Sequence, residues 1–260
     1  LTAVSSSSCS GPSWRGRPPT AALASLSPPA ATAPSPKSRT GSAAARRGSA
    51  SFRVGTANVL AHELALPFAP AAVAAALAFC RTRPLFPGIV QGARSSRLFV
   101  QMLGVGFDAQ VVHNLPLRMK RCFGRPAYVL QSLVEAVRYQ YTPISLCLDG
   151  RDAEAASAII SKGRFYAGPY MLAPDAKPGE PGFQVILFER SGAAASLLYG
   201  GMLPLNRLHR APGVRVVRAE HVECVGGGRI PAQADGEPAG HTPLTVTSAA
   251  APLQIVVRDG

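Results

Sequence analysis

The sequence feature that most constrains the fold is a series of short β-type runs that fills the second half of the chain. The runs are rich in Val, Ile, Leu and Phe, and Gly or Pro punctuates nearly all the gaps between them. Short runs separated by turn formers at this spacing predict an antiparallel sandwich or barrel. The seven predicted strands cover residues 144–148, 157–160, 183–188, 214–217, 222–225, 244–247 and 253–257.

Helical patterning comes before these strands. Apolar residues recur at helical spacing over residues 59–66, and an Ala-rich segment predicts a second helix over about 70–79. A third helix is predicted over about 126–139, where apolar residues at steps of three and four form one stripe. A β-type run at 98–103 lies between them, and one helical interruption, at 192–208, falls within the strand series.

Residues 1–52 form a low-complexity segment. Twelve of the first fifty residues are Ser, six are basic and none is acidic. Such a composition cannot bury enough apolar area to offset its chain entropy. The segment is predicted to be a disordered tail, an organellar transit peptide or the translation of an upstream frame, and the first and last of these are favoured over the second.

The charge of the remaining chain suits an anionic partner. Beyond residue 50 there are 21 basic and 14 acidic residues, an excess of +7. A nucleotide, a lipid head group or an anionic membrane face fits this excess, whereas no zinc-ligand spacing or aromatic–basic repeat supports nucleic acid. The five cysteines are odd in number and widely spaced, which favours a reducing compartment. The best uncharged run, 64–80, contains Pro67 and Pro70, so a soluble protein is expected.

Two glycine-containing segments could bring the backbone close to a ligand. Gly55-Thr56-Ala57-Asn58 opens a helix, where free N–H groups bind an anion or serve only as a helix cap. The segment 104–108, Gly-Val-Gly-Phe-Asp, lacks the third glycine of a dinucleotide fingerprint. It indicates instead a place where the chain passes close to another group.

Two further segments carry carboxylates. The loop 173–183 is rich in turn formers and contains Asp175 and Glu180, which suit a Mg²⁺ or Ca²⁺ ion as well as they suit a solvated turn. Asp235 and Glu237 flank a glycine in strand-rich sequence. On these residues alone a turn is favoured, and a general base at a strand end is the alternative.

Taken in order, these motifs resemble the diacylglycerol kinase catalytic family, which includes bacterial lipid kinases, diacylglycerol kinases and sphingosine or ceramide kinases. The resemblance runs from about residue 55 to residue 257. It rests on Gly-Thr-Ala-Asn at 55–58, Gly-Val-Gly-Phe-Asp-Ala at 104–109, Phe-Gly-Arg-Pro-Ala-Tyr at 123–128, Ala-Pro-Asp-Ala at 173–176 and Asp-Gly-Glu at 235–237.

The resemblance implies an α+β fold in two parts with the active site in the cleft between them. Residues 53–92 would be the remnant of an α/β nucleotide-binding domain, and residues 93–260 an antiparallel β-sandwich-like C-terminal domain. The family's Gly-Gly-Asp-Gly-Thr loop, which holds the ATP phosphates, has no counterpart in this sequence. The match is therefore N-terminally incomplete, and we expect this chain to bind ATP weakly or not at all and to be weakly active or inactive.

The resemblance also implies roles for individual residues. Glu237 would be the general base that takes the proton from a lipid hydroxyl, and Asp235 would position its loop or a metal. Gly55, Thr56 and Asn58 would contact the nucleotide.

A metal site and a docking site are implied as well. Mg²⁺ would be bound by the Glu180 carboxylate and by the backbone carbonyls of Lys177 and Gly182, although Glu180-Pro181 stands where the family commonly has Asp-Gly. Anionic head groups would bind the basic stretch formed by Arg118, Lys120, Arg121 and Arg125, for which the alternative is a solvated charged face.

The predicted function is therefore that of an ATP- and Mg²⁺-dependent lipid kinase. It would transfer the γ-phosphate of ATP to a hydroxyl of a membrane lipid such as diacylglycerol, from the cytoplasm and with peripheral membrane contact. A non-catalytic lipid-binding or interaction module derived from such a kinase is the alternative. The motifs specify neither the lipid nor the oligomeric state.

Overall fold

The computed structural model describes residues 59–65, 82–93, 96–225 and 228–257, except for the side chains of four residues in two helices. The four are Leu117, Lys120, Arg121 and Arg125. The low-complexity segment 1–52, the loop at 55–58 and the helix predicted over 70–79 lie outside this part of the chain.

Two six-stranded antiparallel sheets make up most of the described structure. One has the strand order β11-β10-β7-β4-β13-β14 and the other β3-β2-β15-β12-β5-β6, with two-stranded ribbons β1-β16 and β8-β9 beside them. The predicted α+β class with an antiparallel sandwich is confirmed. The strands are β1 (Thr82–Leu85), β2 (Gly88–Gly92), β3 (Ser96–Phe99), β4 (Met102–Val105), β5 (Ile144–Leu148), β6 (Arg151–Ala155), β7 (Ser157–Ser161), β8 (Phe165–Tyr166), β9 (Tyr170–Met171), β10 (Phe183–Phe188), β11 (Val214–Ala219), β12 (His221–Cys224), β13 (Pro231–Ala234), β14 (Glu237–His241), β15 (Leu244–Ser248) and β16 (Leu253–Val256).

The main apolar core lies between the two sheets, and strand β10 shows how the sequence produces it. Successive side chains of a strand point to opposite faces. Phe183, Val185 and Leu187 belong to the core between the sheets, whereas Ile186 and Phe188 belong to a second cluster on the other face. Because both faces are buried, the strand reads as an almost continuous apolar run.

Helices pack on the outer face of the β11-β10-β7-β4-β13-β14 sheet. Helix α5 (Ala193–Met202) packs on the second cluster through Ala195 and Tyr199. Helix α4 (Arg125–Arg138), in contrast, buries Glu135 and Ala136 and leaves Leu133 and Val137 exposed, so its predicted apolar stripe faces outward over much of its length. The helices are α1 (Val59–Glu63), α2 (Phe107–Asn114), α3 (Leu117–Phe123), α4 (Arg125–Arg138) and α5 (Ala193–Met202), with a 3₁₀ turn at Leu208–Arg210. None of the described helices is both long and apolar enough to cross a bilayer.

The β-type run at 98–103 was expected to be one strand, and this prediction is wrong. It ends β3 in one sheet and begins β4 in the other, with Val100 and Gln101 forming the crossover between them. The other predicted strands agree with the structure to within two residues. Strands β13 and β14 escape prediction because their Pro, Ala and Gly residues have low strand propensity.

The β-sheets also include residues that precede the proposed domain boundary at residue 93. Strand β2 pairs with β15 and β3, and strand β1 pairs with β16. Residues 82–92 therefore belong to the sheets, and the boundary itself stays a prediction.

Strand β3 offers a matched test of the core. Phe99 is fully buried and stacks on Phe183 with ring centroids 5.8 Å apart, whereas the adjacent Leu98 is 56% exposed. We expect Phe99→Ala to lower the free energy of unfolding in urea by about 3–5 kcal/mol. Leu98→Ala should lower it by less than about 1 kcal/mol. Equal losses would contradict the described core.

Candidate active site

The turn that carries Asp235 and Gly236 joins β13 to β14. Ala234 pairs with Glu237, so the hairpin loop has two residues, with φ angles of 50° at Asp235 and 84° at Gly236. Positive φ at both positions is the requirement of a type I′ turn, for which Asp-Gly is a preferred dipeptide. The predicted turn is confirmed, and it places a carboxylate on each side of Gly236.

The Asp235 carboxylate is bound to the crossover between the two sheets. It accepts the backbone N–H groups of Val100 at 2.7 Å, Gln101 at 2.9 Å and Met102 at 3.0 Å. Although the residue as a whole is exposed, its carboxylate is turned inward onto these groups. Burial raises the pKa of Asp235, while the three N–H bonds and the Arg97 charge oppose that shift. Asp235 thus ties the hairpin turn to the point where the chain changes sheets.

Glu237 faces outward and is held by one arginine. Its side chain is 64% exposed, and its Oε2 lies 2.7 Å from Nη2 of Arg97 on β3. The same guanidinium donates through Nη1 to the carbonyl of Pro238 at 3.0 Å. An exposed pair of this kind contributes only about 0–1 kcal/mol to stability. The two contacts of Arg97 nevertheless join strand β3 to the start of β14, and one of them orients the Glu237 carboxylate.

A second network holds the turn from the inside. The Gly236 N–H donates to Oε1 of the buried Gln233 at 2.8 Å, and Nε2 of Gln233 donates to Asp108 Oδ2 at 2.6 Å. The Tyr166 hydroxyl donates to the other oxygen of Asp108. Burial raises the pKa of both Asp108 and Tyr166. Since Gln233, Asp108 and Tyr166 each have a hydrogen-bond partner, this network makes the turn rigid.

Gly104 leaves the space that this network needs. A Cβ atom at Gly104 would lie 2.2 Å from Asp108 Oδ2 and 2.9 Å from Gln233 Nε2. Gly106, with φ of 95°, precedes helix α2 and turns the chain so that Asp108 falls in its first turn. The close approach predicted for the 104–108 segment is confirmed, and its partner is the Asp108–Gln233 pair.

Helix α1 is anchored beside the same network. The buried Glu63 carboxylate accepts the Arg164 N–H at 2.7 Å, the Arg164 Nε at 2.9 Å and the Phe165 N–H at 3.3 Å. These bonds fix α1 to strand β8, which also carries Tyr166. Helix α1 begins directly after the predicted nucleotide contacts Gly55, Thr56 and Asn58, which lie outside the described residues.

The loop predicted to bind Mg²⁺ has its oxygen atoms engaged by the protein. The Lys177 carbonyl accepts the Glu180 N–H at 3.1 Å, and the Gly182 carbonyl accepts Lys162 Nζ at 2.8 Å. The Glu180 carboxylate lies 3.1 Å from Lys177 Nζ and 3.8 Å from Arg218 Nη1. Mg²⁺ requires near-octahedral oxygen ligands, and this donor set does not fit it. Among the described residues, no three His, Cys, Asp or Glu side chains gather into a metal site.

The basic stretch lies on helices α3 and α4. Arg118 is exposed on α3, which also carries Lys120 and Arg121, and Arg125 is the first residue of α4. The side chains of Lys120, Arg121 and Arg125 lie outside the described part of the chain. The membrane-docking role of the stretch stays a prediction.

The structure brings Asp235 and Glu237 together with three residues that the sequence did not indicate as site residues. They are Arg97, Asp108 and Gln233. Asp108 stands in the 104–108 motif, so that motif was the available signal. Arg97 and Gln233 have no local signal, because the sheet pairing alone brings them to the turn.

The fold agrees with the comparisons with known proteins. The family described as the YegS C-terminal NAD kinase beta sandwich-like domain matches residues 101–257. This is more than half of the sequence, and the chain belongs to this family. The predicted relationship to the bacterial lipid kinases is thereby confirmed.

Individual relatives agree with this assignment. The chain is 26% identical over 166 residues to a Bacillus subtilis (strain 168) protein named "Putative lipid kinase YtlR", covering 60% of this chain and 54% of the relative. Two crystal structures from Bacillus anthracis str. Sterne share the fold at 16% identity. The first has a TM-score of 0.62, and the match covers 78% of this chain and 66% of the other. The second, described as a diacylglycerol kinase, has a TM-score of 0.60, and the match covers 78% of this chain and 67% of the other.

Asp235 and Glu237 provide a matched pair of variants for stability. Asp235→Asn removes the charge and turns an amide NH₂ toward backbone N–H donors, so we expect the free energy of unfolding to fall by about 2–4 kcal/mol. Glu237→Gln breaks an exposed ion pair and should cost less than about 1 kcal/mol. Urea unfolding of both variants measures the difference. If Asp235→Asn costs no more than Glu237→Gln, the anchoring role assigned to Asp235 is wrong.

Proposed function

We propose that the protein is an ATP-dependent lipid kinase and that this chain supplies the acceptor side of its active site. The observation that carries the proposal is the Asp235-Gly236-Glu237 turn, which is held from two sides and presents one outward carboxylate. Membership of the family and the names of the relatives support the kinase over the non-catalytic lipid-binding module. The chain spans 54% of the length of its curated relative, so the activity of the whole protein is part of the proposal.

In the proposed reaction Glu237 accepts the proton of the lipid hydroxyl. The lipid oxygen forms a bond to the γ-phosphorus of ATP as the bond from that phosphorus to the bridging oxygen breaks, and ADP leaves. Phosphoryl transfer depends mainly on positioning and on neutralisation of charge. Mg²⁺ bound to ATP would supply part of that neutralisation. Gly55, Thr56 and Asn58 would hold the nucleotide.

The residues around Glu237 suit this role. The Arg97 guanidinium keeps the carboxylate oriented, and its 64% exposure leaves room for a hydroxyl that arrives from a bilayer. Asp235 accepts three backbone N–H bonds and serves as the positioning residue. A carboxylate that abstracts a proton must lie within hydrogen-bond reach of it, and rigid support of the turn fulfils that need.

We further propose that helices α3 and α4 dock the protein on an anionic bilayer. Helix α4 exposes an apolar face, and Phe123 is also exposed at the end of the preceding helix α3. Residues 109–134, between Asp108 and Glu135, contain four Lys or Arg residues and no acidic residue. Apolar side chains that enter the acyl boundary, with cations beside them at the head groups, are the usual features of interfacial helices. The apolar face consists of Val129, Leu130, Leu133 and Val137.

The general-base role is tested by phosphoryl transfer from radiolabelled ATP to vesicles that contain diacylglycerol, ceramide or sphingosine. We expect labelled lipid in at least one of them, at a low rate, and a rate reduced about 100-fold or more in Glu237→Gln. Glu154→Gln, at an exposed position on edge strand β6, is the matched control and should keep the parental rate.

Two results would contradict the kinase proposal. One is a Glu237→Gln protein that keeps more than half of the parental rate. The other is a parental protein that labels none of the three lipids above a protein-free blank, because that result would leave the non-catalytic lipid-binding module as the function of this chain.

The docking role is tested by sedimentation with phosphatidylserine vesicles. Replacing the four cations by Gln removes about 1 kcal/mol of attraction each, so we expect binding to weaken by at least about 100-fold. A control that replaces four exposed arginines elsewhere should weaken it far less. Equal weakening would show that binding follows net charge alone. The docking cations are Arg118, Lys120, Arg121 and Arg125, and the control set is Arg151, Arg190, Arg207 and Arg210.

A further inference from the structure

Lys162 is a buried cation that the proposed reaction does not use. It follows strand β7, and the residue is 1% exposed. Its Nζ donates to the Glu180 carbonyl at 2.7 Å and to the Gly182 carbonyl at 2.8 Å, and lies 5.3 Å from the centre of the Phe183 ring. A buried ammonium is costly unless its hydrogen bonds are made, and here two carbonyls and an aromatic face surround it.

This ammonium binds one of the oxygens that the family resemblance gives to Mg²⁺. Gly182 was expected to provide a carbonyl ligand to the metal, and that carbonyl accepts Lys162 Nζ. A divalent cation on the same oxygen would lie next to the ammonium, and two positive charges at that separation in a buried site repel strongly.

The backbone of Lys162 holds its side chain in this position. The Lys162 N–H donates to the Gln101 carbonyl at 2.9 Å, and the neighbouring Ser161 hydroxyl donates to the Gly163 carbonyl at 2.7 Å. Lys162 therefore connects the crossover, which also binds Asp235, with the loop 177–182.

The loop is also neutralised without a metal. The Glu180 carboxylate, which the family resemblance assigns to Mg²⁺, is paired with Lys177 and Arg218. The side chains of Lys177 and Arg218 are exposed, so each of these ion pairs contributes little by itself, whereas Lys162 is a buried cation.

We propose that the Lys162 ammonium is a built-in cation that organises the loop 177–182 in the place of Mg²⁺, so that the loop folds without a metal. The proposal takes the expected ligand set from the family resemblance and does not depend on phosphoryl transfer. Its test measures stability, so its failure is distinguishable from failure of the kinase proposal.

The test is thermal unfolding of the full chain without nucleotide, in EDTA and in millimolar Mg²⁺. We expect the same Tm in both. Lys162→Met removes the donor from the buried Gly182 carbonyl and from the part-buried Glu180 carbonyl, and its Tm should fall by about 5 °C or more. Lys177→Met changes an exposed lysine of the same loop and is the matched control, with a loss of less than about 2 °C.

Two outcomes would overturn the proposal. One is a saturable rise in the parental Tm with Mg²⁺ that Glu180→Gln abolishes, because it would show a metal site in the loop. The other is an equal loss of Tm in Lys162→Met and Lys177→Met. If Lys162→Met does not fold, Lys162→Arg, which keeps a cationic donor, takes its place. A Tm of this variant that is the same in EDTA and in Mg²⁺ supports the proposal, and a Tm that depends on Mg²⁺ overturns it.

Discussion

The hydrogen bonds between the Asp235 carboxylate and three consecutive backbone N–H groups are the interaction on which the proposed site depends. Val100, Gln101 and Met102 form the passage from one sheet to the other, and Asp235 binds all three of them. The same carboxylate stands at the first position of the β13–β14 turn. The Asp235 side chain thus holds the turn that carries Glu237 against the crossover between the two sheets.

Around this interaction the molecule has two supporting sets of polar contacts. Gln233, Asp108 and Tyr166 hold the turn from the inside, and Gly104 leaves the space for them. On the other side of the crossover, Lys162 joins the Gln101 carbonyl to the loop 177–182. Buried polar networks of this kind specify one arrangement because each unpaired group would be costly.

The sequence predicts much of the fold and part of the site. Strands such as β5 and β10 were predicted because their apolar residues and flanking turn formers are local signals, and Asp235-Gly236 was predicted as a turn for the same reason. The split of the run 98–103 was missed because no local residue marks the crossover; the carboxylate that binds it lies more than 130 residues away. Lys162 was missed as well, since a lone lysine after an apolar run carries no sign of the two carbonyls that it binds.

The central claim concerns three amide protons, and residue-resolved hydrogen exchange measures them directly. In the parental protein the amides of Val100, Gln101 and Met102 should be protected. In Asp235→Asn they should exchange faster, while those of the Phe183–Phe188 strand keep their protection under conditions in which the protein stays folded. If the three amides exchange at the same rate in both proteins, the Asp235 carboxylate does not hold the crossover, and the account of the site is wrong.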